Sequence, residues 1–253
     1  MPSSDRTKKT ETGPLRAELE KAAATGELKT VFDMLALEAP ELAKALPEGI
    51  DVERFTRTVL TELERTPELF DCEPGAVLGA VLLAAQLGLE PGPLGLVYLV
   101  PAPPAVDFVI GYRGYIDLAY RSGHVRDVAA ALVYEGEPFE YRKGTRPFLD
   151  HSPGPSDKSR AIVAAYAVAR LRSGGSVFEV IYEADWTKAR EASPAGSAKG
   201  GPWFDHYGAM IRKTAVRRLE PVLPKSALLT QAVQRDGKPA PEPAKLTETT
   251  VAL

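Results

Sequence analysis

The run "AVLGAVLLAAQLGL", residues 76–89, is the strongest constraint on what this chain can fold into. Wound as a helix it is apolar on nearly every side, so it has no face to give to water and must lie inside the molecule. Pro74 suits its first turn. The run is too short to span a bilayer and is followed by "EPGP", so the expectation is a core helix rather than a membrane span. Burying such a helix needs partners on all sides, and a chain of 253 residues, 44% hydrophobic and 26% charged, has enough material for that within one or two domains. The opening "MPSSDRTKKTETG" is polar throughout, so no secretory leader is expected, and the single Cys72 cannot form an internal disulfide. A reducing cytoplasm is the expected setting.

Helical spacing precedes the core helix and strand texture follows it. "LKTVFDMLALEAPELAKALP" and "DVERFTRTVLTELERTPELF" repeat apolar residues with helical period, with Asp51 as N-cap and Pro67 as stop of the second. "GLVYLVPAPPAVDFVIGY" predicts two short strands around a proline turn. "RGYIDLAYRSG" predicts a helix closed by Gly123. Strands are predicted in "VRDVAAALVYEG", "FEYRKG", "AIVAAYAVARL" and "SVFEVIY", the last two joined through "RSGG". A short helix at "EADWTKAREA" leads through "SPAGSAKGG" to one final helix, "PWFDHYGAMIRKTAVRRLEP". The fold class is α+β: N-terminal helices, a mainly antiparallel sheet with a crossing helix, and a C-terminal helix. Residues 1–27 are expected to be a disordered or weakly ordered arm, residues 28–233 a single domain, and residues 234–253 a disordered tail.

Net charge is −3, but its distribution is uneven. Residues 1–75 hold 16 acids and 10 bases, whereas Lys199 to Lys225 hold six bases against Asp205 and Glu220. In the final helix Lys213 and Arg217 are four apart and form one stripe, flanked by Arg212 and Arg218. No acid lies three or four residues from Lys213, and only Glu220 does so from Arg217. A solvated amphipathic face would account for such a stripe; the lack of local neutralisation and the Gly/Ser/Lys loop before it favour phosphate binding. Arg113 stands at a predicted helix N-terminus, where free N–H groups and the dipole welcome an anion. Tyr112 and Trp203 are open between stacking on bases and packing in the core.

Enzyme signatures are sparse. There is no G-x-x-x-x-G-K-[ST] for a phosphate loop, no G-x-S-x-G elbow, and no zinc spacing among His124, His151, His206 and Cys72. Glu179, Glu183 and Asp185 leave a metal-dependent nuclease as an alternative, and a passive single-strand coating protein is another.

Four blocks in order, "LFDCEPGAVLGAVLLAAQLGLEPGPLGLVYLVP", "IGYRGYIDLAYRSG", "YAVARLRSGG" and "GPWFDHYGAMIRKTAVRRLEPVLP", resemble the RecT family of single-strand annealing recombinases, in the same broad group as the phage Red-beta proteins. The resemblance spans residues 52 to 233. It implies a small curved antiparallel sheet backed by a helix, with residues 28–75 as a helical oligomerisation region. It also implies binding and annealing of single-stranded DNA without ATP or another cofactor, as rings or filaments. A 5′→3′ exonuclease and a host single-stranded DNA-binding protein are the implied partners. The family's basic groove maps to Arg113 in the second block and to Lys213, Arg217 and Arg218 in the last, with Arg212 at a position where a base is common and Trp203 at the P-W position. The expected DNA-binding set is Tyr112, Arg113, Arg126, Lys199, Trp203, Arg212, Lys213, Arg217, Arg218 and Lys225.

Overall fold

A computed structural model describes residues 31–154, 159–193, 201–224 and 226–242. The expected N-terminal arm, most of the expected tail, Lys199 and Lys225 lie outside the described residues. The fold is α+β, with small antiparallel sheets, and it divides into two compact units.

The first unit contains the described residues up to Gly88, Pro101–Val106 and the described residues from Ala240. Its helices are α1 (Val31–Ala45), α2 (Val52–Arg65) and α3 (Pro74–Leu87). The Asp51 carboxylate caps α2, accepting the Arg54 N–H at 2.7 Å. Pro67 then opens a short 3₁₀ turn that separates α2 from α3. As its composition requires, α3 is buried on nearly every side, from Val77 to Ala85 and again at Leu87. It ends at Gly88, whose φ of 61° is the left-handed conformation that glycine adopts without strain.

The second unit is Leu89–Val100 with Asp107–Pro239. β1 (Val97–Ala102) and β2 (Ala105–Ile110), whose turn-side ends fall within Pro101–Val106, form the expected proline-turned hairpin, and α4 (Tyr112–Arg121) follows directly. β3 (Val125–Tyr134), β6 (Ile162–Leu171) and β7 (Ser176–Ile181) make an antiparallel sheet in the order β3-β6-β7. Between them, β4 (Phe139–Arg142) and β5 (Phe148–His151) pair as a separate hairpin. After α5 (Glu183–Glu191) come α6 (Pro202–Asp205), α7 (Tyr207–Leu219) and α8 (Ala227–Arg235). α7 packs across β3, β6 and β7 and against α4, where buried Ala165, Ala167 and Ala169 alternate along β6. Side chains this small let a helix lie close to a sheet.

The β4–β5 hairpin is fastened to that sheet through Glu137. Its carboxylate accepts the Tyr134 N–H at 2.9 Å, the Gly154 N–H at 3.0 Å and Arg160 Nη2 at 3.1 Å, and its Oε2 lies 3.1 Å from His151 Nε2. His151 Nδ1 is 3.2 Å from the Tyr166 hydroxyl, and Tyr166 stacks on Phe139. Donation from the Tyr134 N–H above all, then from His151 and the Gly154 N–H, with the Arg160 charge, outweighs burial and holds the Glu137 carboxyl at about 2.

Two expectations change. The final helix is not continuous: His206, at φ −129° and ψ 40°, leaves helical geometry, so its N–H closes α6 on Pro202 while its carbonyl opens α7. Residues 234–242 are also placed. α8 runs to Arg235, and β8 (Lys238–Pro239) pairs antiparallel with β2 opposite Asp107 and Phe108. Among the described residues, no helix is long and apolar enough to cross a membrane.

Candidate nucleic-acid interface

The turn "IGYRG" is shaped by close backbone approach. A Cβ on Gly111 would sit 2.0 Å from the Gly95 carbonyl oxygen, and one on Gly114 would sit 2.2 Å from that of Leu96. Only glycine fits at either place. The Gly111 N–H donates to Leu96 at 2.9 Å, pinning the start of α4 to the 95–96 backbone. Arg113 therefore projects from a fixed base. It is exposed, with its guanidinium carbon 6.0 Å from the centre of the Tyr112 ring and only long contacts, 3.4 Å each, to the Tyr112 hydroxyl and the Leu94 carbonyl.

Opposite this turn stand α6 and α7. A cleft of about 460 Å³ is lined by Tyr98, Tyr112 and Arg113 on one side and by His206, Arg212 and Lys213 on the other. A second, of about 510 Å³, is lined by Trp203, Arg217, Arg218, Asp236 and Lys238. The two share Val100, Val109, Pro202, Met210 and Lys213 as a common wall. Seven of the expected binding residues, Tyr112, Arg113, Trp203, Arg212, Lys213, Arg217 and Arg218, thus come together from two distant stretches of sequence.

Their environments differ. Arg212 is half-buried and has no hydrogen bond or ion pair among the described residues. Arg217 is 44% exposed and its Nη1 lies 3.3 Å from Asp236. Arg218 is 54% exposed and pairs with Asp185 at 2.5 Å. Lys213 is 8% exposed, and its ammonium donates to Asp236 Oδ1 at 2.8 Å. Burial pulls that ammonium below its ordinary value, against the opposing pull of Asp236. Trp203 is packed, 4% exposed, with its ring 6.3 Å from Tyr207 and its indole N–H buried without a hydrogen-bond partner in the described structure. Tyr112 stays half-exposed at the cleft. Arg126 is exposed on a β-bulge at the start of β3 and lines neither cleft.

Asp236 was absent from the expected set. Its side chain is fully buried, and it accepts from the Ile110 N–H at 2.8 Å and the Tyr115 hydroxyl at 3.0 Å, besides the two cations. Burial first, and then the Asp236 charge, push the Tyr115 phenol far above its ordinary value, so it remains a donor. The signal was present in α7. Lys213 falls among Ile211, Thr214, Ala215 and Val216, all buried, and a lysine on a buried face with no acid in its own helix calls for one from elsewhere.

Two of the three acids considered for a metal site, Glu179 and Asp185, are otherwise engaged. Glu179 accepts Lys143 at 2.6 Å, while Asp185 accepts the Tyr182 N–H at 3.0 Å as well as Arg218.

The RecT family model matches residues 53–249. Protein RecT of Escherichia coli (strain K12) is 40% identical over 207 residues, covering 78% of this chain and 76% of that protein. Uncharacterized protein YqaK of Bacillus subtilis (strain 168) is 28% identical over 205 residues, covering 79% of this chain and 68% of that protein.

Proposed function

The chain belongs to the RecT family, and from that premise we propose that its joined clefts seat single-stranded DNA for annealing to a complementary strand in recombination. The observation that carries this reading is the convergence of Arg113 and Arg212 on one cleft, neither paired with a carboxylate among the described residues. Both can meet phosphate without first breaking an ion pair. Arg217 and Arg218 extend the same basic line along the neighbouring cleft. The first turn of α4 adds backbone N–H groups, since Gly111 provides no side-chain cap.

Contacts to phosphate carry no sequence information and leave Watson–Crick edges available to an incoming strand. Pairing then supplies the free energy of the product, so the reaction needs no nucleotide hydrolysis. We assign oligomerisation to the helical region ahead of the sheet. Residues 1–75 carry a net charge of −6 and residues 76–253 one of +3, a polarity suited to head-to-tail association. A 5′→3′ exonuclease and a host single-stranded DNA-binding protein are the proposed partners, in a bacterial cytoplasm. The nuclease alternative is less favoured because Glu179 and Asp185 already neutralise Lys143 and Arg218.

The test mixes the protein with a labelled oligonucleotide, adds its complement without ATP, and follows pairing by energy transfer. Faster pairing supports annealing. Tight binding without acceleration identifies a coating protein, and shortened products with Mg²⁺ identify a nuclease.

A further inference from the structure

We propose that Asp236 is a positioning residue for the DNA strand: anchored by Ile110, Tyr115 and Lys213, its carboxylate grips one edge of the Arg217 guanidinium and turns the other edge toward phosphate. The inference rests on the reading of the joined clefts as the strand's seat.

The carboxylate is held from three elements. Its Oδ1 accepts the Ile110 N–H from the end of β2 and Lys213 Nζ from α7, each at 2.8 Å. Its Oδ2 accepts the Tyr115 hydroxyl of α4 at 3.0 Å and faces Arg217 Nη1 at 3.3 Å. The backbone beneath it is equally constrained. The Asp236 N–H closes α8 on Ala232, and Gly237, at φ 71°, turns the chain so that its N–H meets the Phe108 carbonyl at 2.8 Å. Of the two cations it binds, Lys213 is buried and Arg217 is nearly half exposed. They therefore have different tasks. Lys213 balances the buried negative charge, while Arg217 reaches the cleft with part of a planar five-donor fork still free. An arginine already fixed along one edge loses less freedom when it meets phosphate than one swinging on a bare helix.

The sign of one substitution separates this from simple charge balance. If Asp236 only offset positive charge, Asp236→Asn would make the site more positive and tighten DNA binding. A positioning residue predicts the reverse. Affinity of a labelled single strand, measured by anisotropy across a salt series, is compared for the full chain, Asp236→Asn, Arg217→Ala and the two combined. We expect Asp236→Asn to weaken binding roughly three- to tenfold, and to weaken it no further once Arg217 is alanine. Equal or tighter binding by Asp236→Asn overturns the proposal, as does an equal loss with and without Arg217, which would mark a merely structural role. If Arg217→Ala binds like the parent chain, the proposal falls while Arg113 and Arg212 still carry the cleft reading; if the parent chain binds no DNA, the cleft reading falls with it. Should Asp236→Asn fail to fold around Lys213, the comparison is made in Lys213→Met/Asp236→Asn, which holds neither buried charge. There, a normal melting temperature with weakened binding that is insensitive to Arg217→Ala supports the proposal, and unweakened binding overturns it.

Discussion

Arg212 and Lys213 are adjacent in sequence and line the same cleft, yet the first has no carboxylate partner among the described residues while the second is sealed against Asp236. The pattern of bases along the helix gives both the same standing; their surroundings give them opposite consequences on substitution. Arg212→Ala should leave the melting temperature unchanged and weaken single-strand binding alike for all sequences, with the log–log salt slope falling by about 0.7 for one lost phosphate contact. Lys213→Ala should destabilise the fold by about 3–5 kcal/mol, because it takes from a buried carboxylate its one buried counter-charge among the described residues. Chemical denaturation and a salt series on the two proteins check this directly, and a stable Lys213→Ala protein with a reduced salt slope would reverse the assignment.

Arg113 should behave like Arg212. Its contacts with Tyr112 and Leu94 are long and exposed, so Arg113→Ala costs little stability. The expected result is an unchanged denaturation midpoint with weaker DNA binding and a shallower salt slope. Normal binding by Arg113→Ala would remove the α4 turn from the DNA site.

Gly114→Ala tests the platform under that arginine. An added methyl carbon would lie 2.2 Å from the Leu96 carbonyl oxygen and 2.9 Å from the Ile110 side chain. Backbone cannot yield as a flexible side chain does, and the expected loss is about 2–3 kcal/mol or more. At Gly136 no atom of the described residues beyond its chain neighbours lies within 4 Å of such a carbon, and its φ of 82° leaves conformational strain as the main cost. Gly136→Ala should accordingly cost about 1–2 kcal/mol. Parallel urea melts of the two variants rank the two effects.

Trp203→Phe separates packing from stacking. The indole N–H is buried without a partner in the described structure, so losing it removes a desolvation cost, while the smaller ring leaves a modest void. Trp203→Phe should cost under about 1.5 kcal/mol, and Trp203→Ala about 3–5 kcal/mol. If Trp203→Phe keeps its stability but loses DNA affinity, the ring meets bases directly.

The Glu137 carboxyl predicts an acid-sensitive fastening. It is depressed from its ordinary 4.5 to about 2 in the fold. A depressed acid stabilises the native state above its unfolded value, and that contribution is lost as pH falls toward its folded value. The melting-temperature gap between the parent chain and Glu137→Gln should be widest above pH 4.5 and narrow steadily toward about pH 2. A gap independent of pH across that window would mean that the carboxylate charge does not fasten the β4–β5 hairpin.

Local rules recovered much of this architecture. The Asp51 cap, the apolar wrap of α3, the proline-turned β1–β2 hairpin and the helix after Gly111 all follow from signals within a few residues. The break at His206 carries no such signal, because neither histidine nor its neighbours forbid a helix; it exists because α6 buries Trp203 while α7 turns its own face to the sheet. Asp236 was missed for a different reason. The polar, proline-rich stretch around it resembles a tail, and its partners Ile110, Tyr115 and Lys213 are far away in sequence. Gathering the clefts' cations was within reach of the sequence motifs, whereas dividing them into exposed and sealed required knowing which residues lie opposite.

The bond from the Ile110 amide to Asp236 joins residues 126 positions apart. During synthesis, β2 and the start of α4 leave the ribosome long before the carboxylate that will bind them. Until residue 236 emerges, Lys213 and Arg217 have no anion to hold them, and β2 lacks the strand at 238–239 that covers its edge. The cations of α7 and the edge of β2 are thus secured together, by the segment that closes the second unit.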